Sequence, residues 1–91
     1  MLFELRYHHD VKSLDIPLLD AKLRTRIKNA IERRLTTSPH LYGEPLRKTL
    51  RGYWKLRVGD YRVVFKIAGE EVWILGIIHR KNVYEAIKKR L

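Results

Sequence analysis

No cysteine occurs in the chain, which excludes disulfides and thiol chemistry and fits a reducing, cytoplasmic setting. Nor is there a run of about 18 apolar residues, so no membrane span is expected. The opening Met1-Leu2-Phe3-Glu4-Leu5-Arg6 lacks the basic-then-apolar layout of a secretory signal. Internal repeats and low-complexity tracts are missing too. The 91 residues leave room for one domain, spanning residues 1–91, with a single helix layer on a sheet. Acidic side chains are scarce: ten Asp and Glu stand against twenty Lys and Arg, a net charge of +10. A field of that sign favours polyanionic partners, whether nucleic acid, an acidic protein or an anionic surface. Hydrophobic residues make up 45% of the chain, enough for it to fold rather than stay disordered.

The most structured stretch runs from Gly52 to Ile67. Trp54, Leu56 and Val58 form an apolar row that alternates with Tyr53, Lys55 and Arg57. Gly59-Asp60 is a two-residue break of the kind that closes a tight hairpin. Beyond it Tyr61, Val63, Phe65 and Ile67 alternate with Arg62, Val64 and Lys66. This register places Arg57 directly opposite Arg62 and Lys55 opposite Val64. Like charges in direct cross-strand contact destabilise a sheet, so either both guanidiniums splay into water and repel weakly or the arrangement is a built anion site, which the rest of the chain favours.

Alternation of Phe3, Leu5 and Tyr7 predicts an opening strand, and a short helix follows to about Ile16, with Val11 and Leu14 inward. His8-His9-Asp10 carries metal-ligand chemistry, but the adjacent histidines have no partner at a helical or hairpin spacing, so no metal site is assigned. From Pro17, which suits a first helical turn, Leu19, Leu23, Ile27, Ala30, Ile31 and Leu35 form an apolar stripe at helical spacing. Thr36-Thr37-Ser38-Pro39 ends that helix, and His40 to Arg51 reads as a loop around Tyr42-Gly43-Glu44-Pro45. Val72 to Ile78, apolar on both faces, predicts a central strand. Pairing Ile67 with Val72 sets Arg62 opposite Ile77 and Asp60 opposite His79. On that register His79, Arg62, Arg57, Lys55 and Tyr53 share one face. The helices then cover the other, on Leu56, Val58, Tyr61, Val63, Phe65, Ile74 and Ile78. Asn82 and Glu85 have capping-box spacing ahead of a last helix, Val83 to Leu91.

The cluster of Lys55, Arg57, Arg62, His79, Arg80 and Tyr84 holds no carboxylate able to keep Mg²⁺ against the cations, so no metal or other cofactor is expected. Metal-free RNA cleavage fits it, because the ribose supplies its own nucleophile. A base takes the 2′-OH proton, cations stabilise the charge developing on phosphate, and an acid protonates the leaving 5′-oxygen. Arginine stays charged and clamps phosphate in a bidentate fork. Lys55 is a candidate base because neighbouring cations disfavour its charged form. His79 is another, being of the type that changes charge near neutrality; alternatively it is a strand-end histidine bonded to Asp60. Tyr84 can stack on a base, orient phosphate or donate a proton.

Leu50-Arg51-Gly52-Tyr53-Trp54-Lys55-Leu56-Arg57-Val58-Gly59-Asp60-Tyr61-Arg62-Val63-Val64 resembles the signature of the RelE/ParE superfamily of toxins from type II toxin–antitoxin systems. Ile77-Ile78-His79-Arg80-Lys81-Asn82-Val83-Tyr84 is similar to its second signature, an arginine then a tyrosine after the last strand. The resemblance implies an α+β fold: a small single domain with a twisted antiparallel sheet, two N-terminal helices packed on one face, and a short C-terminal helix. It implies cleavage of mRNA in the ribosomal A site, hence inhibition of translation. Carried over by position, Lys55 would lie near the attacked ribose, Arg62 and Arg80 would clamp the phosphate with Arg57 in support, and Tyr84 would stack on or protonate the substrate. Tyr53, grouped with Arg57 as RNA-binding, stands where strongly active RelE-type toxins often carry a second lysine, which strengthens His79 as a candidate base. The implied partner is an acidic cognate antitoxin, through which any contact with DNA would be indirect. The alternative is a ParE-type toxin that inhibits DNA gyrase without chemistry of its own. Such chains tend to lose the lysine and tyrosine that are kept here. A third is an inactive member acting as an antitoxin-bound co-repressor.

Overall fold

The computed structural model describes residues 2–91; Met1, which opens the segment inspected for a secretory signal, lies outside them. β3 (Trp54–Val58) and β4 (Tyr61–Ala68) meet through Gly59-Asp60 in the register that the alternation predicts, with Val58 opposite Tyr61, Arg57 opposite Arg62 and Lys55 opposite Val64. Gly59 has φ +59°, the left-handed backbone that a tight two-residue hairpin demands and that glycine adopts without a Cβ penalty. β5 (Glu71–His79) returns antiparallel beside β4. β1 (Glu4–Tyr7) lies on the other edge of β5, and the two-residue β2 (Glu44–Pro45) borders β3. The order is β1-β5-β4-β3-β2, so β5 is interior, as its two apolar faces predict. All neighbours are antiparallel except β1, which runs parallel to β5 and makes the sheet mixed. Alternation in residues 3–7 reveals a strand but carries no information about its direction.

One face of the sheet is covered by helix. Asp20 caps α1 (Ala21–Ala30), its carboxylate accepting the Leu23 N–H at 2.8 Å, so the helix proper starts after Asp20 and not at Pro17. Pro17 sits instead in a separate 3₁₀ turn, Ile16–Leu18. α1 continues into a π-helical turn, Ile31–Leu35. Leu19, Ile27, Ile31 and Leu35 are buried on Leu56, Val58, Val63, Phe65, Val72, Ile74 and Ile77. Phe65 is wholly enclosed, and burying a side chain of that kind stabilises by roughly 1.5–3 kcal/mol. Ahead of α1, Val11–Asp15 winds as another π-helical turn, which directs Val11 and Asp15 inward and turns Leu14 out to solvent. The expected inward pair of Val11 and Leu14 is thereby corrected.

The opposite face is wet only in part. The segment read as a loop holds a one-turn helix α2 (Pro39–Tyr42), β2 and a 3₁₀ turn, Lys48–Leu50. Leu46 and Leu50 from this segment join Val64, Ile78, Val83 and Ile87 in a second core. Val83 and Ile87 belong to α3 (Val83–Lys88), which is shorter than the expected Val83 to Leu91. The Asn82 side chain makes no capping hydrogen bond, so the spacing of Asn82 and Glu85 does not become a capping box here.

Between β4 and β5 the register departs from the expected one partway along. Ile67 pairs with Val72 as expected, but Phe65 faces Ile74 while Val64 faces Gly76, leaving Leu75 as an extra, bulged residue. Beyond the bulge every β5 side chain changes face, because side chains alternate with period 2. Arg62 therefore faces Ile78 and Tyr61 faces His79. Ile78 enters the second core instead of the first.

A buried ion pair stitches this bulge. Asp15 and Arg90 make two hydrogen bonds of 2.7 Å each, Nη1 to Oδ2 and Nη2 to Oδ1. Arg90 Nη1 also donates to the Leu75 carbonyl at 2.9 Å, and the Ile77 N–H donates to Asp15 Oδ2 at 2.9 Å. The pair thus satisfies backbone groups that the irregular strand leaves without ladder partners. Gly76 makes room for it: a Cβ there would lie 2.8 Å from Ile87 Cδ1 and 3.0 Å from Arg90 Nη1. No helix of the described residues is long and apolar enough to cross a membrane.

Candidate functional site

A groove of about 380 Å³ opens on the second face between β3, β4 and the turn into α3. Leu46, Lys55, Arg62, Arg80, Lys81, Val83 and Tyr84 line it. Four of the five residues predicted to be catalytic, Lys55, Arg62, Arg80 and Tyr84, meet here, joined by Lys81, which sequence reasoning did not single out. No carboxylate is among the lining residues. Four cations in one concavity with low-dielectric walls concentrate anions and focus the field on whatever enters.

Each side chain is placed by a distinct device. Lys55 is half-buried in mid-β3, its orientation fixed by alternation with the buried Leu56. Arg62 is folded onto the hairpin: Nη1 donates to the carbonyls of Gly59 at 3.0 Å and Tyr61 at 2.9 Å. Arg80 begins the turn after β5, where its N–H donates to the Asp60 carbonyl at 2.8 Å and its Nε lies 3.7 Å from Asp60 Oδ1. Both groups are exposed, so that pairing adds little stability and leaves Arg80 available to a better anion. Tyr84 stands on the first turn of α3, and its hydroxyl accepts the Arg47 N–H at 3.3 Å. The phenolic proton stays free to be donated.

His79 is brought elsewhere. The bulge puts it opposite Tyr61, whose ring it meets edge-on at 5.5 Å between centroids, and its Nδ1 accepts the Lys81 N–H at 3.3 Å. Both interactions shape the strand-to-helix turn. The expectation that His79 shares a face with Arg62 and Lys55 is therefore corrected, and so is its alternative bond to Asp60, which pairs with Arg80. The signal that could have revealed this is Gly76, an isolated glycine inside a strand, which commonly marks a bulge. Tyr53 packs beside the second core without lining the groove. Arg57, although directly opposite Arg62, lines a different cleft.

At the far end of β1, the ligand atoms of His8, His9 and Asp10 lie within 4.8 Å of one another, closer than their sequence spacing led us to expect. Yet His8 Nδ1 already accepts the Asp10 N–H at 3.1 Å, and Asp10 Oδ2 is 3.6 Å from Arg90 Nε. A competing cation and an occupied nitrogen make this a poor cage for a metal ion.

Comparison with known proteins identifies the family and the fold. Residues 6–84 match the family described as the ParE toxin of the type II toxin–antitoxin system parDE. Toxin RelE of Mycobacterium tuberculosis is 35% identical over 72 residues, covering 77% of this chain and 74% of the relative. Toxin RelG of the same organism is 38% identical over 52 residues, covering 55% of this chain and 60% of the relative. Among solved structures, the RelBE2 toxin–antitoxin complex of M. tuberculosis contains a chain that superposes with a TM-score of 0.80 at 26% identity, covering 88% of this chain and all (100%) of that one. A chain of the chromosomal ParDE system of P. aeruginosa gives 0.65 at 18% identity, over 85% of this chain and 95% of that one, a likeness of fold alone.

Proposed function

The chain belongs to the ParE toxin family of type II toxin–antitoxin systems, within the RelE/ParE superfamily, and on that premise we propose that it is a metal-independent endoribonuclease that cleaves mRNA on the ribosome and so inhibits translation. The observation that carries this reading is the groove itself, which gathers Lys55, Arg62, Arg80, Lys81 and Tyr84 without a lining carboxylate. The reaction needs no external nucleophile. The ribose 2′-oxygen attacks the adjacent phosphorus, the bond to the 5′-oxygen breaks, and the products are a 2′,3′-cyclic phosphate and a 5′-hydroxyl. Arg62 and Arg80 hold the non-bridging oxygens and stabilise the charge that grows on them. With His79 outside the groove, Lys55 is left to take the 2′ proton, and Tyr84 is positioned to protonate the leaving oxygen or stack on a base. An acidic cognate antitoxin would neutralise the protein, in keeping with its charge of +10 and with the toxin–antitoxin complexes among its structural relatives.

A second reading is inhibition of DNA gyrase, favoured by the ParE family match. Primer extension on a reporter mRNA after brief induction separates the two. Discrete new 5′ ends at translated codons are expected; growth arrest with intact mRNA and inhibited supercoiling would sink the nuclease in favour of gyrase.

A further inference from the structure

Arg57 points to a second site. It lines a cleft of about 200 Å³ between the hairpin and α1, together with Arg26, Asn29, Ala30, Arg33, Arg34 and Val58. Arg26, Asn29/Ala30 and Arg33 recur at helical spacing, so they form one face of α1 and its π-helical continuation. Four arginines thus converge where two elements meet. Among the described residues none of the four has a carboxylate within salt-bridge distance. Arg26 lies against the hairpin turn, since a Cβ on Gly59 would come 3.0 Å from its Nη1. Arg34 sits over the Tyr42 ring at 5.5 Å. Like charges gathered this way repel and weaken the fold slightly. A bound anion would reverse that cost, and planar guanidinium forks fit phosphate and carboxylate oxygens alike.

The two basic grooves adjoin. Arg57 and Arg62 are direct cross-strand partners, yet Arg62 lines the first groove and Arg57 the second. The boundary between them is a single residue pair. We propose that the second cleft binds backbone phosphates of the same RNA strand that occupies the catalytic groove, extending the bound footprint past the hairpin. This rests on the RNA reading of the first groove. Continuity across the Arg57–Arg62 pair favours one RNA strand over a separate acidic protein segment. The cleft takes no part in bond breaking: it supplies affinity and fixes the path of the strand, so its arginines are binding residues and not catalytic ones.

The test uses the intact protein and 2′-O-methyl RNA, which cannot be cleaved, as a labelled trinucleotide and a labelled dodecamer, read by fluorescence anisotropy over a salt series. The wild type should bind the dodecamer about tenfold or more tightly than the trinucleotide. Arg33→Gln with Arg34→Gln should remove most of that advantage, leave trinucleotide binding within about twofold, and flatten the dodecamer's salt slope by about 0.7 for each phosphate that is no longer neutralised. Arg33→Lys with Arg34→Lys should restore the slope, which a merely misfolded variant would not do. Equal dodecamer affinity and slope in wild type and the Gln variant would overturn the proposal. So would a Gln variant that loses an oligoglutamate peptide but keeps the dodecamer, since the cleft would then serve an acidic protein. Because the probes cannot react, the outcome is independent of catalysis. Codon-linked cleavage with length-independent binding rejects the cleft alone; length-dependent binding with mRNA intact in cells rejects the nuclease alone.

Discussion

Replacing Arg62 with Ala should lower the cleavage rate about 10²–10³-fold, the usual cost of removing one preorganised donor from a developing oxyanion. The fold should hardly notice. The substitution forfeits two hydrogen bonds from Nη1 to the Gly59 and Tyr61 carbonyls, each worth about 0.5–1.5 kcal/mol net. It also relieves the direct opposition of Arg57, which returns part of that loss. A catalytic defect of this size in a protein that melts within a few degrees of the wild type assigns Arg62 to the chemistry. Arg62→Lys should recover only part of the rate, because a point charge replaces a planar fork. The matching control is His79→Asn, whose Oδ1 stands where Nδ1 does. It keeps an acceptor for the Lys81 N–H and should leave the rate within about threefold, since His79 faces Tyr61 and not the groove. A loss as deep as that of Arg62→Ala would return the general base to His79 and contradict the assignment to Lys55.

The largest effect on stability is expected from Asp15→Ala. It removes both short carboxylate bonds of the Arg90 guanidinium, whose side chain is only 8% exposed, leaving only Asp10, 3.6 Å from its Nε, as counter-charge, and deprives the Ile77 N–H of its acceptor. Removing one partner of a buried pair costs about 3–5 kcal/mol, against a total near 5–15 kcal/mol for a domain of this kind. A chain of this length should lose roughly 15 °C or more in melting temperature. Hydrogen bonding to Asp15 raises the pKa of Arg90, with burial opposing and the charges of Asp15 and Asp10 adding to the rise. A raised value stabilises the fold at every pH below the unfolded value and is lost only as pH climbs past it, a window above any assay pH. Pairing Asp15→Leu with Arg90→Met should recover only part of the loss, because the Leu75 carbonyl and Ile77 N–H remain unpaired. Arg90 closely follows α3, which carries Tyr84, so Arg90→Met should also depress cleavage below its melting transition. Full activity in that variant would show that α3 is held by Val83 and Ile87 alone.

The hairpin was the most legible part of the chain, because alternation and a Gly-Asp turn are local signals and both fix register. From them Lys55 and Arg62 could be placed on one face, and the motif after β5 added Arg80 and Tyr84. The helix stripe from Leu19 to Leu35 was legible for the same reason. What stayed hidden was non-local or irregular. Leu75 is inserted by a bulge that no alternation in an all-apolar strand can reveal, and His79 was misplaced with it. The Asp15–Arg90 pair joins residues 75 apart in sequence, and neither partner's neighbours announce it. Asp15 sits in an apolar run where its isolation was the only hint. The second core needed Leu46 and Leu50 from a segment without periodicity. Arg57 was read correctly in register, but its cleft depends on where α1 lies.

The termini of the RNA fragments released test the central claim most directly. Mass spectrometry of fragments made on translating ribosomes by the purified toxin should find 2′,3′-cyclic phosphates paired with 5′-hydroxyls, lost together in Arg62→Ala. Fragments bearing 5′-phosphates, or RNA left whole while gyrase is inhibited, would contradict a ribose-driven, cation-assisted cleavage in this groove.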